Sequence, residues 1–209
     1  MIDSTSRIGK RVFDVFFSIL FLVLLVPGMA LIALAIRINM GAPVIFRQSR
    51  SGHNGKLFHI FKFRTMRAAC SAQHQPLPDA ERLTSLGRFL RALSLDELPE
   101  LWNVLNGEMS LVGPRPLLPE YLSRYSAFQS RRLEVKPGIT GWAQVNGRNA
   151  LTWQQKFDLD VWYVENVSLW LDLKICWRTV NAVITGYGIT QPGHATMPEF
   201  MGSRESIQQ

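Results

Sequence analysis

The alternation of apolar and polar positions divides the chain into two unlike parts. From Val12 to Ile36 the sequence VFDVFFSILFLVLLVPGMALIALAI is almost continuously apolar, and Asp14 is its only charge. As a helix rising 1.5 Å per residue, this stretch would be roughly 38 Å long. That exceeds the roughly 30 Å hydrocarbon core of a bilayer. A core helix of a soluble protein shows a polar face, and after Asp14 only Ser18 could supply one. The pattern therefore predicts membrane insertion. A signal peptide is the alternative, since Ala33-Leu34-Ala35 resembles a small-residue cleavage site. The apolar run, however, is well beyond the roughly 7–15 residues of a signal h-region.

Two features argue against a plain single pass. Pro27 cannot donate to the carbonyl of Val23, and Gly28 loosens the backbone beside it. A break there leaves arms Val12–Val26 and Gly28–Ile36 of roughly 22 and 14 Å, and neither crosses the core alone. The flanks are equally basic, with Arg7, Lys10 and Arg11 before the run and Arg37, Arg47 and Arg50 after it. A helix that enters, breaks at Pro27 and returns keeps all six on the cytoplasmic side, as the positive-inside rule asks. A kinked spanning helix is the alternative. Residues 1–40 are thus expected to form a re-entrant membrane anchor, and 41–209 a domain on the cytoplasmic face.

Beyond Met40 the pattern becomes that of a mixed domain. Pro43–Gln48 and Lys56–Phe63 are rich in β-formers and flank Ser51-Gly52-His53-Asn54-Gly55, which predicts a hairpin. Cys70–Pro78 reads as a loop. Leu83, Leu86, Leu90 and Leu93 give Asp79–Leu93 a helical period. A short helix is expected over Asp96–Leu105, with Pro99 in its first turn. Pro119–Val135, Thr152–Asn166 and Leu169–Ile184 also read as helices. Trp170, Leu173, Trp177 and Val180 share one face of the last, which fits either core packing or an in-plane membrane contact. The fold class is α+β, mostly helical with a small β-hairpin, a Pro-broken membrane helix and in-plane amphipathic helices.

Composition narrows the chemistry. With 47% hydrophobic and 19% charged residues, the chain is neither disordered nor a fibrous or disulfide scaffold. The net charge of +7 points to an anionic partner. Cys70 and Cys176 lie far apart, so neither a four-thiolate zinc site nor a disulfide framework is expected, and a reducing compartment is the simpler setting. Phosphate loops and zinc-protease motifs are absent, and His53, His59, His74 and His194 lack ligand spacing.

Three segments remain. Asp96-Glu97 are adjacent acids where a helix begins. Ser94 or Asp96 could simply cap that helix, and neighbouring helical positions point about 100° apart. Val112-Gly113-Pro114-Arg115-Pro116 locks one arginine between prolines, either as a rigid loop or as a guanidinium set to grip a phosphate. Lys136 to Arg148 carries turn signals between two cations, and Lys62 and Arg64 close the hairpin. Acids ringed by arginines and lysines suit a divalent metal and a diphosphate substrate.

Taken together, Ser94-Leu95-Asp96-Glu97-Leu98-Pro99, Met109–Pro116 and Lys136–Arg148 resemble the bacterial sugar transferase family, the monotopic polyprenyl-phosphate phosphoglycosyl transferases. The resemblance runs from Lys10-Arg11 to the Gly193–Thr196 tail. The compact size is most similar to members that transfer phospho-N,N′-diacetylbacillosamine in protein N-glycosylation. The resemblance implies a catalytic domain over 41–209 at the inner membrane and a UDP-sugar donor, UDP-N,N′-diacetylbacillosamine among the candidates. It also implies undecaprenyl phosphate as acceptor, membrane lipids as surroundings and no nucleic acid. Asp96 would be the nucleophile and a ligand of Mg2+, with Glu97 completing the dyad. Lys62, Arg91, Arg115 and Arg148 are candidates for phosphate or uridine contacts. Val26 stands where relatives often carry serine before the proline. The rival expectation, a membrane-anchored basic protein holding anionic lipid or nucleic acid, accounts for the charge and the anchor. It does not account for the paired acids or the Arg115 loop.

Overall fold

The computed structural model describes residues 4–67, 79–147, 150–185 and 199–202; the Cys70–Pro78 loop and Arg148 lie outside them. Helix α1, Ser4–Met40, contains Pro27. The chain passes through Pro27 without leaving the helix, so the two arms expected from the sequence are halves of one element. The leucines, alanines and methionine around Pro27 are good helix formers, so the element stays helical although the proline lacks a donor and crowds the carbonyl of Val23. The helical hydrogen-bonded element therefore runs from Ser4 to Met40 with Pro27 inside it, and proline is where a helix bends without ending.

Both halves of α1 are fastened to the same domain. Near the start, Lys10 Nζ lies 2.5 Å from Asp172 and donates to the carbonyl of Val112 at 3.0 Å. Arg11 donates to the carbonyls of Val104 and Leu105 at 2.6 and 2.8 Å. Those carbonyls close helix α4, Glu100–Leu105, so a cation meets the negative end of that helix. Asp14, buried, accepts from Ser110 Oγ and the Leu111 N–H, each at 3.0 Å. At the other end Arg64 donates to the carbonyls of Met40, Gly41 and Ala42, and Ile36 is buried against Phe63 and Leu90. Lys10 and Arg11, which the sequence offers as flanking charges, are docking residues. A helix that crossed a bilayer upright from a domain on one face would leave one end undocked.

The hairpin forms as expected: β1, Ile45–Ser51, pairs antiparallel with β2, Leu57–Phe63, from Ile45↔Phe63 to Ser51↔Leu57. The Asp79–Leu93 helix is divided into α2, Asp79–Arg82, and α3, Ser85–Ala92, because Thr84 caps the second by accepting from the Gly87 N–H at 2.9 Å. The helix expected over Pro119–Val135 is instead two 3-10 turns flanking α5, Ala127–Ser130. A parallel pair, β3 (Ser110–Val112) and β4 (Gly138–Thr140), escaped the sequence reading. Each strand is three residues long, too short to show a period. Helix α6, Trp142–Val145, follows; α7, Trp153–Glu165, opens on a Thr152/Gln155 capping box, and α8 covers Leu169–Thr185. One core gathers Phe58, Ile60, Leu101, Val104, Met109, Val112, Tyr163 and Ile175.

The orientation of α8 decides between its two sequence readings. Asp172 and Ile175 point into the core, whereas Trp170 and Trp177 are 77% and 76% exposed beside exposed Leu173 and Val180. That face has no protein partner among the described residues. Val12, Phe16, Val23, Leu24, Leu31 and Ile38 of α1 are exposed as well. Apolar surface this extensive marks a membrane-contacting side, and α1 is the one described helix long and apolar enough to cross. With both ends of α1 docked on one domain, cysteines placed at Ser4 and Lys56, in a chain with Cys70 and Cys176 replaced, should be equally protected from an impermeant maleimide in intact cells. Labelling at position 4 alone would contradict the placement of both ends of α1 on one side of the membrane.

Candidate active site

After α3 the backbone reverses at Ser94, which adopts a left-handed φ of 55°. Non-glycine residues reach that region at a cost of order 1–3 kcal/mol. The reversal starts a 3-10 turn, Leu95–Glu97, that presents Asp96 and Glu97 before Pro99 opens α4. Ser94 makes no side-chain capping bond, and α4 starts from Pro99 with no side-chain cap, so the buried Asp96 does not cap it either. The capping role open in the sequence is thereby set aside for both.

Glu97 is the most heavily bonded group of the site. Arg115 Nη2 is 2.5 Å and Nη1 3.4 Å from its carboxylate, and Lys62 Nζ donates to Oε1 at 2.8 Å. Lys62 also lies 3.0 Å from Glu100 Oε1. Arg91 is held by Nε donation to Thr65 Oγ1 at 3.0 Å and contributes to the field at Asp96. The structure thus brings together Asp96, Glu97, Lys62, Arg91 and Arg115. Arg148 lies outside the described residues, and Lys136 sits elsewhere, beside Arg11 at Gly107.

Arg115 is aimed by its backbone. Gly113 donates to Thr140 O at 2.9 Å and Gly138 to Pro114 O at 3.0 Å. A Cβ on Gly138 would fall 2.0 Å from the Gly113 nitrogen, so β3 and β4 approach this closely only because both positions are glycine. The Arg115 carbonyl accepts from Arg132 Nη2 at 2.7 Å, and Arg132 is itself buried against Asp160 at 2.8 Å. Sequence inspection missed this support, and it missed Glu100 and Arg50. Arg50, whose Nη2 donates to Gln48 at 2.7 Å, stands within electrostatic reach of Glu100 and Arg115. Buried charges on separate segments carry no local pattern by which to find them.

The two adjacent acids respond oppositely. Burial opposes ionisation of Glu97, but Arg115 and Lys62 outweigh it and hold the carboxyl well below its usual range. For Asp96, burial and then the Glu97 charge raise the pKa against the pull of Lys62, Arg115 and Arg91. Among the described residues Asp96 enters no ion pair, whereas Glu97 and Glu100 both do. The Arg115 side chain is 43% exposed, so its guanidinium is accessible to a ligand. A cavity of about 330 Å³ runs between α1 and α8, walled by Phe13, Phe17, Phe21, Leu25, Leu173 and Val180, and it reaches Glu97 and Arg115. It joins an apolar, membrane-side wall to a charged end.

Residues 5–186 match the model of the bacterial sugar transferase family. The chain is 53% identical over 195 residues to the uncharacterized sugar transferase EpsL of Bacillus subtilis (strain 168), covering 93% of this chain and 96% of that protein. It is 44% identical over 197 residues to an undecaprenyl-phosphate glucose phosphotransferase of Komagataeibacter xylinus, covering 86% of this chain and 36% of the relative. It is 39% identical over 199 residues to an undecaprenyl-phosphate galactose phosphotransferase of Salmonella typhimurium, covering 86% and 41%. The chain therefore spans nearly all of the first relative and well under half of the other two. The protein belongs to the bacterial sugar transferase family.

The Arg132–Asp160 pair gives a stability test of the way Arg115 is held. Arg132→Met strands a buried carboxylate, and breaking such a pair costs about 3–5 kcal/mol. The single variant should melt well below wild type, and Arg132→Met/Asp160→Leu should recover much of the loss. A wild-type melting temperature for the single variant would show that the pair does not brace the loop.

Proposed function

We propose that this protein is a phosphoglycosyl transferase that moves a sugar-1-phosphate from a UDP-sugar to undecaprenyl phosphate, working at the cytoplasmic face of the bacterial inner membrane. The observation that carries the reading is the pairing of Asp96, buried and outside every ion pair of the described residues, with the Arg115–Glu97–Lys62 cluster at the charged end of an apolar cavity. The names of the glucose and galactose relatives supply the acceptor class. The reading extends the family's chemistry to this chain.

An Asp96 carboxylate oxygen attacks the sugar-bearing phosphorus of the donor. The new O–P bond forms as the phosphoanhydride bond breaks, and UMP leaves with the bonding electron pair. An oxygen of undecaprenyl phosphate then attacks the same phosphorus, releasing the Asp96 carboxylate and forming the diphosphate-linked sugar lipid. Such a product stays in the membrane, a place from which glycan assembly can start. Splitting the transfer means the soluble nucleotide and the lipid need not share the site.

Arg115 offers a planar fork to the phosphate oxygens, and Glu97 holds that fork in place and keeps Lys62 close. Arg91 lies on the Asp96 side of the cluster. The Asp96 carboxylate suits Mg2+, which takes one or two carboxylates together with substrate phosphates. Among the described residues no group of three or more acids, histidines or cysteines is arranged to hold a metal ion by itself, so a site completed by substrate phosphates is the mode that fits. Bound there, the ion would neutralise charge on the diphosphate. For the lipid, a 150 Å³ cavity holds the six carbons of benzene. By that scale the cavity takes about two to three isoprene units, and the rest of the chain stays in the bilayer.

Purified protein with Mg2+ and undecaprenyl phosphate should release UMP from at least one member of a donor panel containing UDP-glucose, UDP-galactose and UDP-N,N′-diacetylbacillosamine. Arg115→Lys keeps the charge and loses the fork. The rate should then fall by on the order of 30- to 1,000-fold, the roughly 2–4 kcal/mol of one preorganised donor. Failure with every donor, alongside strong binding to anionic vesicles, would favour a basic lipid-binding protein instead.

A further inference from the structure

Glu100 is a third carboxylate at the site, and neither its neighbours in sequence nor the proposed reaction steps call for it. It opens α4 with its side chain almost wholly buried. The spacing between α4 and β2 is fixed by Asn103, which accepts from the Phe61 N–H at 3.2 Å and donates to the His59 carbonyl at 2.7 Å. Between Phe61 and Phe63, Lys62 reaches across and lies 2.8 Å from Glu97 and 3.0 Å from Glu100. One ammonium therefore serves two carboxylates. Glu97 has Arg115 as a second partner, whereas Glu100 shares Lys62 alone among the ion pairs of the described residues.

We propose that Glu100 is a positioning residue for the donor nucleotide, acting through Lys62: its charge decides whether Lys62 is held back between two carboxylates or turned toward phosphate. The proposal rests on the reading of this site as one for a nucleoside diphosphate. With Glu100 neutral, Glu97 is balanced by Arg115 and the Lys62 charge is left over for an anion. With Glu100 ionised, that surplus is cancelled beside the place where phosphate must sit.

The surroundings put this change in the physiological range. Lys62 of β2, Glu97 of the 3-10 turn, Arg115 of the loop after β3 and Arg50 of β1 act on Glu100 or respond to it. From α1, Arg11 meets only the far end of α4. Burial pushes the Glu100 carboxyl up to about 7, with the Lys62 pull opposed by the Glu97 charge. The pKa is raised, so the proton is held below about 7 and lost above it. A bound diphosphate, being anionic, raises the affinity for that proton further. By linkage, the Glu100 contribution to binding is the uptake of a proton and a weakening as pH rises.

Equilibrium binding of UDP to wild type and Glu100→Gln, from pH 6 to 8.5, tests this without turnover. UDP titrates equally for both proteins, so the ratio of the two dissociation constants isolates Glu100. That ratio should be near one at pH 6 and rise several-fold above pH 7. Glu100→Asp, which keeps the titration, should restore the pH dependence. Calorimetry of wild type at pH 7.5 in two buffers of different ionisation enthalpy should show net proton uptake, a result that needs no variant to fold. A ratio constant with pH, or no proton uptake, would overturn the role of Glu100 and leave the nucleotide site standing. No UDP binding at any pH would remove the nucleotide reading itself and this proposal with it.

Discussion

Glu97 is a carboxylate clamped by Arg115 and Lys62, and the three residues come from a 3-10 turn, the loop after β3 and strand β2. Three segments distant in sequence are thus held at one point. A buried charge of this kind is tolerated only if its partners are well placed. Everything that aims those partners therefore matters. The close approach of β3 to β4 and the Arg132–Asp160 brace set Arg115. The Asn103 bonds between α4 and β2 set Lys62. Asp96 sits one residue before the clamp, at the end of a backbone reversal through Ser94.

The same constraint links the membrane side to the chemistry. Lys10, Arg11 and Asp14 of α1 bind β3 and the end of α4, the elements that lead into Arg115 and out of the acidic turn. Phe13, Phe17, Phe21 and Leu25 on the same helix wall the cavity that reaches Glu97 and Arg115. The helix supplies both exposed apolar surface and one wall of the cavity.

Much of this was legible from residues alone. The apolar run, the hairpin and the long helices follow from periodicity, and the motifs around Asp96, Arg115 and Gly138 carried the family resemblance. What escaped was nonlocal. The three-residue strands β3 and β4 are made by glycines that permit contact with a distant backbone. Pro27 marks a special position in the long helix, and helix formers on both sides keep the element helical through it. Lys10 and Arg11 look like topogenic charges until their buried acceptors are seen. Glu100 looks like an ordinary first-turn acid until Lys62 is placed beside it. The tryptophans, which sequence cannot sort, separate by environment: Trp153 joins the Tyr121–Phe157–Phe200 cluster, while Trp170 and Trp177 face outward.

The central claim is that Asp96 bonds covalently to the transferred phosphorus. Its most direct test is intact-protein mass measurement after rapid quenching of the protein with Mg2+ and its donor UDP-sugar, in the absence of any lipid acceptor. The protein should gain the mass of one sugar phosphate, with an equal amount of UMP released and the added mass on the peptide carrying Asp96. If UMP appears only once the acceptor is added, and no adduct can be trapped at any quench time, transfer is direct and Asp96 is not the nucleophile.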